Sequence, residues 1–240
     1  MHDSTEDARP VSIVTGAGSG IGAAAARMLA ARGHAVVLVG RRLERLEETR
    51  ATLDDPSRHL SMPADLADSG LAAEVVDRTL EAYGRLDALV LCAGSAPRHP
   101  IEATTEEVLE EAFFVNAFGP AFLVVRAWPH FQSRRAGRIV LVSTIGTTDP
   151  FPGFFAYAAA KSAVDSFARS IRAEGKAHGI RGFAVNPGAV ETEMLRRNFS
   201  EKVVPPHRAL SPEQVAAVVV ACAIGERDED NGRAIAVPSP

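Results

Sequence analysis

The arrangement of apolar and polar residues predicts short buried strands that alternate with helices. Short apolar, β-branched runs are typical of strands covered on both faces. We predict such strands at residues 11–14, 35–39, 60–64, 86–92, 138–142, 183–185 and 232–237. Segments typical of helices lie between them, at residues 23–31, 43–49, 69–82, 104–115, 156–178 and 212–224. The short links favour βαβ units, and hence an α/β, doubly wound parallel sheet of about seven strands with helices on both faces.

Glycines mark the connection between the first strand and the first helix. Gly16, Gly20 and Gly22 allow a sharp turn and let the backbone approach a ligand closely. The next helix begins with free N–H groups and the positive end of its dipole, which suit a pyrophosphate. The pattern predicts a dinucleotide site that also includes Ser19 and Ile21. A glycine-rich connection without any ligand is the alternative, because a lone glycine motif is weak evidence.

The size and composition of the chain favour one α/β domain. With 240 residues and 46% hydrophobic content, the chain can bury a sizeable core. The N-terminus is polar and acidic and lacks the apolar segment of a signal peptide, so we expect a frayed tail at 1–9 and a single domain at 10–240. The longest apolar run, residues 215–224, is too short to span a bilayer. We therefore expect a cytoplasmic protein.

Charge, cysteine and histidine positions narrow the function classes further. A net charge of −4 gives no electrostatic footprint for nucleic acid or an anionic membrane, and we expect neither as a partner. The two cysteines, Cys92 and Cys222, lie far apart in apolar segments, which indicates buried free thiols rather than a disulfide. The seven histidines have no ligand spacing, and we assign no metal.

Two arginines follow the second predicted strand, where a dinucleotide fold meets the adenosine ribose. An NAD-binding protein usually has a carboxylate here, whereas this chain has Gly40 followed by Arg41 and Arg42. A guanidinium suits a ribose 2′-phosphate, which an acid would repel. We therefore predict NADP(H), with NAD(H) as the less favoured cofactor. Alternatively, the arginines pair with glutamates of the helix predicted at 43–49.

Asn116 is the polar exception in the apolar stretch 113–125. A buried amide needs hydrogen-bond partners, because leaving them unmade costs stability. Pro120, four residues further on, has no N–H to donate to the Asn116 carbonyl. That carbonyl is therefore free to bind another group. A plain kink beside Gly119 is the alternative.

Tyr157 and Lys161 are the candidates for proton transfer. At i and i+4 of a predicted helix, the phenol and the ammonium lie on one face. A tyrosine has a pKa near about 10, and a nearby cation is expected to lower it by roughly 1–3 units. A solvated helix face is the alternative for an isolated pair of this kind. Ser143 and Thr144, which end the fifth predicted strand, supply two further hydroxyl groups.

In this order, the motifs resemble those of the short-chain dehydrogenase/reductase family over about residues 10–237. The resemblance implies a single-domain Rossmann-type oxidoreductase that transfers hydride between nicotinamide and a carbonyl or secondary alcohol. It implies that Tyr157 is the proton donor, that Lys161 also fixes the nicotinamide ribose, and that the Asn116 carbonyl holds a water in a proton relay. With NADPH, the expected direction is ketone reduction. The alternative is a non-catalytic NADP(H)-binding sensor on the same fold.

The resemblance also implies contacts near the adenine and along the cofactor. Asp65, with Leu66, would meet the adenine, although a cap for the helix predicted at 69–82 explains Asp65 equally well. The family often has Asn-Asn-Ala-Gly at the end of the fourth strand, where this chain has Leu-Cys-Ala-Gly. The pair that lies along the cofactor, Ala93 and Gly94, is kept.

At the nicotinamide end, the resemblance implies a seat in the turn after the sixth strand. Its residues are Pro187, Gly188, Val190 and Thr192. The family commonly pairs helices between subunits, and the apolar faces at 113–125 and 156–172 exceed what one sheet covers. We therefore expect a homo-oligomer, a tetramer or a dimer.

Two hydroxyl groups compete for the role of polarising the substrate oxygen. The family residue is normally serine, which favours Ser143 by residue type. The family spacing of thirteen residues before the tyrosine favours Thr144 instead. Neighbouring side chains at a strand end point to opposite sides, so we expect only one of them to face the nicotinamide. The spacing favours Thr144, with Ser143 as the alternative.

Three segments are expected to form the walls of the substrate pocket, at 95–98, 151–155 and 189–199. They contribute phenylalanine, proline, Met194 and Leu195, which favour an apolar or aromatic ketone or the matching secondary alcohol. Their arginines leave an acid-bearing substrate open; these are Arg98, Arg196 and Arg197.

Overall fold

The computed structural model of the protein describes residues 9–240, in which seven parallel strands form one sheet. The strands are β1 (Val11–Thr15), β2 (Ala35–Gly40), β3 (Leu60–Pro63), β4 (Ala88–Leu91), β5 (Gly137–Val142), β6 (Ile180–Pro187) and β7 (Ala234–Val237). All the predicted strands are confirmed, although β6 is longer and β4 and β7 are shorter than expected. The tail predicted at 1–9 lies outside the described residues, except for Arg9.

Helices connect the strands, as the sequence pattern predicts. In the described part of the chain they are α1 (Gly20–Ala31), α2 (Leu43–Arg50), α3 (Ser69–Tyr83), α4 (Glu106–Phe113), α5 (Gly119–Arg134), α6 (Phe155–Gly175), α7 (Glu193–Asn198) and α8 (Pro212–Ile224). Of these, α7 was not predicted, and of α5 only the apolar face at 113–125 was expected. The helix predicted at 156–178 continues beyond α6 as one 3₁₀ turn, Lys176–His178.

The strand order is β3-β2-β1-β4-β5-β6-β7, so the direction of winding reverses between β1 and β4. On one face, α1 and α8 pack through residues such as Leu29 and Val219. On the other, α3, α5 and α6 pack through residues such as Val76, Leu123 and Val164. The doubly wound α/β fold is confirmed. In such sheets, ligands bind beyond the carboxyl ends of the strands at the point of reversal.

Asp68, not Asp65, caps α3. Asp68 Oδ1 accepts from the N–H groups of Gly70 and Leu71, at 2.7 and 3.2 Å. Asp65 accepts only from the N–H of Ala67 within its own turn, at 3.1 Å. The cap therefore does not explain Asp65, and the alternative given for this residue is wrong.

Asn116 lies in a π-helical segment, Phe114–Phe118, between α4 and α5. The helix predicted at 104–115 therefore ends early as an α-helix, and the Gly119 N–H donates to the Phe114 carbonyl, five residues earlier. Such π-helical turns are frequent at functional sites. Pro120 directly follows this segment inside a continuous helical stretch, and it has no N–H to donate to the Asn116 carbonyl.

The continuous helical stretch Glu106–Arg134 is long and apolar enough to cross a membrane, by length and composition only. This stretch is longer than the apolar run at 215–224 from which the sequence predicted that the chain does not span a bilayer. Its inner side packs on the sheet through Leu123, Ala127 and Phe131. A core helix of a soluble protein passes the same test of length and composition.

Candidate active site

A cavity of about 730 Å³ lies beyond the carboxyl ends of the strands, at the point of reversal between β1 and β4. All the residues that the sequence predicts for catalysis or cofactor binding line it. They are Gly16, Ser19, Gly20, Ile21, Gly22, Arg41, Arg42, Asp65, Leu66, Ala93, Gly94, Asn116, Ser143, Thr144, Tyr157, Lys161, Pro187, Gly188, Val190 and Thr192. The fold thus brings together residues from every part of the chain, while their chemical roles stay predictions.

The glycine loop presents the N-terminus of α1 to the cavity. Ser19 precedes the helix, and its side chain makes no capping hydrogen bond, so the first helical N–H groups are free for a ligand. Gly20 has a φ of +51°, and a Cβ there would lie 3.1 Å from Thr192 Cγ2. The glycine loop therefore touches the segment that leads into α7. Thr192 itself caps α7 by accepting from the Leu195 N–H at 3.2 Å.

Arg41 and Arg42 are exposed at the adenosine end of the cavity. Neither forms an ion pair within residues 9–240, whereas Glu47 and Glu48 pair with later arginines of α2. The ion pairs of Glu47 and Glu48 with other arginines therefore argue against the alternative in which Arg41 and Arg42 pair with the glutamates of α2. Both guanidinium groups can therefore bind an anion.

Arg45 is a third arginine at this end of the cavity, and it was not predicted from the sequence. Its guanidinium donates to Glu48 at 3.1 Å and to Glu193 of α7 at 2.6 Å. The ion pair with Glu193 joins α2 to α7 across the cavity wall. No motif marks Arg45, because its role depends on a partner almost 150 residues away.

Gly94 allows the Asn116 amide and the Lys161 ammonium to come close to the end of β4. A Cβ at Gly94 would lie 2.8 Å from Asn116 Oδ1 and 3.4 Å from Lys161 Nζ. Asn116 is fully buried, and its Nδ2 donates to the carbonyls of Ser95 and Ala112 at 2.9 and 2.8 Å. Its Oδ1 accepts from the Ser95 N–H at 3.2 Å. The amide is therefore fixed by backbone partners on both sides.

The expected effect of Lys161 on Tyr157 was wrong. Burial raises the pKa of Tyr157 to about 12, and Lys161 is not among the causes of the shift. The Lys161 ammonium donates instead to the Val142 carbonyl at 2.8 Å. Burial also lowers the pKa of Lys161 to about 8. At neutral pH, Tyr157 therefore keeps its proton, which is the state that a proton donor needs.

The side-chain hydroxyl groups of Ser143 and Thr144 have different interaction partners. Ser143 is buried, and its Oγ donates to the Lys161 backbone carbonyl at 3.2 Å. The Thr144 side chain interacts with the Tyr157 phenol and lowers its pKa, against the larger effect of burial. Its Oγ1 also accepts from the Gly146 N–H at 3.2 Å. The geometry thus directs Thr144, rather than Ser143, to the phenol.

Aromatic and aliphatic side chains form the cavity wall beside Tyr157. The Phe154 ring centroid lies 6.0 Å from that of Tyr157 and 5.9 Å from that of Phe199. Met194 and Leu195 of α7 line the same cavity. The predicted apolar lining is therefore present.

Only one of the three arginines expected near the substrate, Arg197, lines the cavity. Arg98 lies outside it, with its guanidinium 5.3 Å from the centroid of Phe199. Arg196 is occupied by an ion pair with Glu191 and donates to the Val204 carbonyl at 2.8 Å. Of the three, Arg197 is therefore the one placed in the cavity, and an acid-bearing substrate stays an open alternative.

Several lining residues carry no signal in the sequence. They are side chains brought in by tertiary packing, such as Glu111, Val115 and Val204. Ser95, which belongs to the predicted wall segment 95–98, also lines the cavity, and its Oγ is buried without a hydrogen-bond partner within residues 9–240.

The donor set fits a dinucleotide. Free helix N–H groups at Gly20 and unpaired Arg41 and Arg42 lie along one cavity, and both kinds of group bind phosphate. Tyr157 and Thr144 stand at its other end, where a proton can be delivered. Residues 9–240 contain no group of three His, Cys, Asp or Glu side chains that could hold a metal ion.

Comparisons with known proteins agree with this arrangement. A family model described as short chain dehydrogenase matches residues 10–203. A fatty acyl-CoA reductase of Acinetobacter baylyi is 33% identical over 213 residues, which are 88% of this chain and 71% of that protein.

Two solved structures show the likeness in three dimensions. The 3-ketoacyl-(acyl-carrier-protein) reductase of Brucella melitensis, complexed with NADH, is 27% identical with a TM-score of 0.88 over 95% of this chain and 96% of that one. A variant of actinorhodin polyketide ketoreductase with NADPH is 25% identical with a TM-score of 0.89 over 96% of both chains.

Proposed function

The chain belongs to the short chain dehydrogenase family, and on that premise we propose that it reduces a ketone with NADPH, with Tyr157 as the proton donor. The observation that carries the proposal is the meeting of a protonated phenol, a hydroxyl and an ammonium at one end of the dinucleotide cavity. Tyr157, Thr144 and Lys161 supply these groups.

The chemistry requires a hydride and a proton to reach the two ends of a C=O bond. NADPH, when bound, supplies the hydride for the carbonyl carbon. Tyr157 gives its proton to the carbonyl oxygen, so that the ketone becomes a secondary alcohol. Thr144 donates a hydrogen bond to the same oxygen as negative charge develops on it. Because burial raises its pKa, Tyr157 is protonated before the reaction, which is the state that reduction requires of the proton donor.

Lys161 and Asn116 have supporting roles in this proposal. The Lys161 ammonium, which is held at the cavity wall by the Val142 carbonyl, fixes the nicotinamide ribose. The Asn116 carbonyl, in the π-helical segment, holds a water through which the proton of Tyr157 is replaced. Asn116 and Lys161 both line the cavity, which supports this route.

Arg41 supports the preference for NADPH, and its substitution tests that preference. The Arg41→Asp variant replaces a free guanidinium by a carboxylate that repels a 2′-phosphate. The preference for NADPH over NADH is expected to fall at least tenfold, or about 1.4 kcal/mol. Dissociation constants for both cofactors measure this, with Arg98→Asp outside the cavity as the control. Equal affinity of the parent protein for NADPH and NADH would rule the preference out.

The apolar cavity wall supports an apolar or aromatic ketone as the substrate. A panel of ketones, some with a carboxylate, offered to the purified protein while NADPH absorbance is followed would test the proposal directly. We expect faster oxidation of NADPH with apolar and aromatic ketones. Binding of NADPH without turnover of any ketone would favour the non-catalytic sensor instead.

A further inference from the structure

We propose that Asp165 is a positioning residue for the proton-transfer site, acting through Asn186 on the Thr144–Thr147 turn and through charge on Lys161. The inference deepens the proposed function and rests on it. Its starting point is a buried polar cluster that lies behind the cavity wall and that the catalytic proposal does not use. Asp165 is 8% exposed and Asn186 is 4% exposed.

Asn186 is the centre of this cluster. Its Nδ2 lies 3.1 Å from both carboxylate oxygens of Asp165, and it donates to them. The same nitrogen lies 3.1 Å from the Thr144 carbonyl and 3.2 Å from Thr147 Oγ1. The two N–H bonds of the Asn186 amide thus point to the Asp165 carboxylate on one side and to the Thr144–Thr147 turn on the other.

The cluster joins three segments that must keep their relative positions. Asp165 belongs to α6, which carries Tyr157 and Lys161. Asn186 belongs to β6 and directly precedes the Pro187-Gly188 turn of the cavity. The Thr144 carbonyl begins the 3₁₀ turn Ile145–Thr147, so holding it also holds the Thr144 side chain opposite the phenol.

The cluster is not explained by stability alone. Asn186 Oδ1 is buried and has no hydrogen-bond partner within residues 9–240. An unsatisfied buried acceptor costs free energy, and a buried carboxylate costs more unless it is paired. Apolar residues at both positions would avoid these costs. A role in fixing Thr144 and Lys161 gives a reason for the polar pair.

Asp165 also acts on the charge of Lys161. The two residues are one turn apart on α6, and the carboxylate opposes the lowering of the Lys161 pKa by burial. The other titratable group that acts on Lys161 is Cys92 at the end of β4, whose thiol stays neutral because burial raises its pKa to about 12. Asn186 and Thr147, which face Asp165 from β6 and the 3₁₀ turn, do not titrate. Asp165 is therefore the anion that keeps the lysine cationic.

The Asp165→Asn variant tests the charge while it conserves size. Loss of the anion lowers the pKa of Lys161, so the fall of kcat/KM for ketone reduction at high pH is expected to move to lower pH by roughly 0.5–1 unit. The Glu174→Gln variant, which removes an exposed acid from the same helix, is the control and should leave the profile unchanged. A profile of Asp165→Asn that coincides with that of the parent would overturn the charge role.

The Asp165→Ala variant tests the hold on Thr144. We expect kcat to fall roughly tenfold in the parent background and less than about twofold in the Thr144→Ala background, because the two residues act as a unit. Equal fold-losses in both backgrounds would overturn the positioning role.

A readout without turnover separates this inference from the proposed function. Amide hydrogen exchange at residues 143–148 should rise in Asp165→Ala and not in Glu174→Gln. If no ketone of the panel supports oxidation of NADPH by the parent protein, the proposed function fails. The exchange experiment still tests whether Asp165 holds the Thr144–Thr147 turn in place. Unchanged exchange there would contradict it.

Discussion

Thr144 and Ser143 are adjacent in the chain, yet the structure gives them different partners. Ser143 Oγ donates to the Lys161 carbonyl, whereas the Thr144 side chain acts on the Tyr157 phenol and lowers its pKa. Threonine has the same donor and acceptor oxygen as serine, and its β-branch restricts χ1. The side chain that the spacing favours is thus also the one that the geometry turns to the phenol.

Substitution of each hydroxyl residue by alanine separates the two roles. Thr144→Ala is expected to lower kcat for ketone reduction by roughly 10²–10³, as for loss of one donor to a developing oxyanion. Ser143→Ala should cost far less. Steady-state kinetics of the two purified variants measure the difference. The reverse order would assign the role to Ser143, and equal small losses would mean that neither hydroxyl polarises the substrate.

At the scale of the element, the caps explain where helices begin. The Asp68 side chain accepts hydrogen bonds from two backbone N–H groups at the start of α3. At the start of α8, Ser211 and Gln214 form a capping box. Gly84 and Gly225 end the same helices in the left-handed conformation. These signals are local, so α3 and α8 could be predicted from the sequence to within a few residues.

The cap of α3 provides a matched pair of variants. Asp68→Ala should lower the free energy of unfolding by about 1 kcal/mol, because two helix N–H groups lose their partner. Asp65→Ala, three residues earlier and outside the cap, should change it by less than about 0.5 kcal/mol. Urea unfolding of both variants checks this. A larger loss for Asp65→Ala would restore the cap assignment that the structure rejects.

Other parts of the structure could not be predicted from local pattern. Helix α7 has six residues and depends on Thr192 and on the Arg45–Glu193 ion pair, so it carries no periodic signal. The raised pKa of Tyr157 depends on burial by distant segments, whereas the sequence shows only the neighbouring Lys161. Cys92 and Cys222 form no disulfide in the described part of the chain, as the sequence predicts. The positions of the motifs can thus be predicted from the sequence. The burial and the long-range contacts that set the pKa values of their side chains cannot.

At the scale of the whole molecule, one surface remains apolar. Phe114, Phe118 and Val125, on the outer side of the π-helical segment and α5, are 39%, 42% and 71% exposed. The Phe114 and Phe118 rings meet edge to face at 5.2 Å. Contiguous exposed apolar side chains mark an interaction surface more often than single ones do. We propose that this surface pairs with a second copy of the chain.

Light scattering during gel filtration tests the assembly. The parent protein should have a mass of two or four times 25.4 kDa. A double variant, Phe118→Asp with Val125→Asp, should lower this mass because it places charges in an apolar contact. Leu43→Asp, on α2 at the opposite face of the sheet and 46% exposed, is the control and should keep the parent mass. A monomeric parent at micromolar concentration would contradict the proposal.

The role of Tyr157 is tested most directly by removal of one oxygen atom. Tyr157→Phe keeps the ring beside Phe154, so the fold and NADPH binding should be preserved. The rate of NADPH oxidation with the best ketone of the panel is the measurement. We predict that NADPH binds the variant with near-parent affinity and that turnover falls by at least about 10², the lower end of a general acid's contribution. Near-parent turnover in Tyr157→Phe would contradict the account.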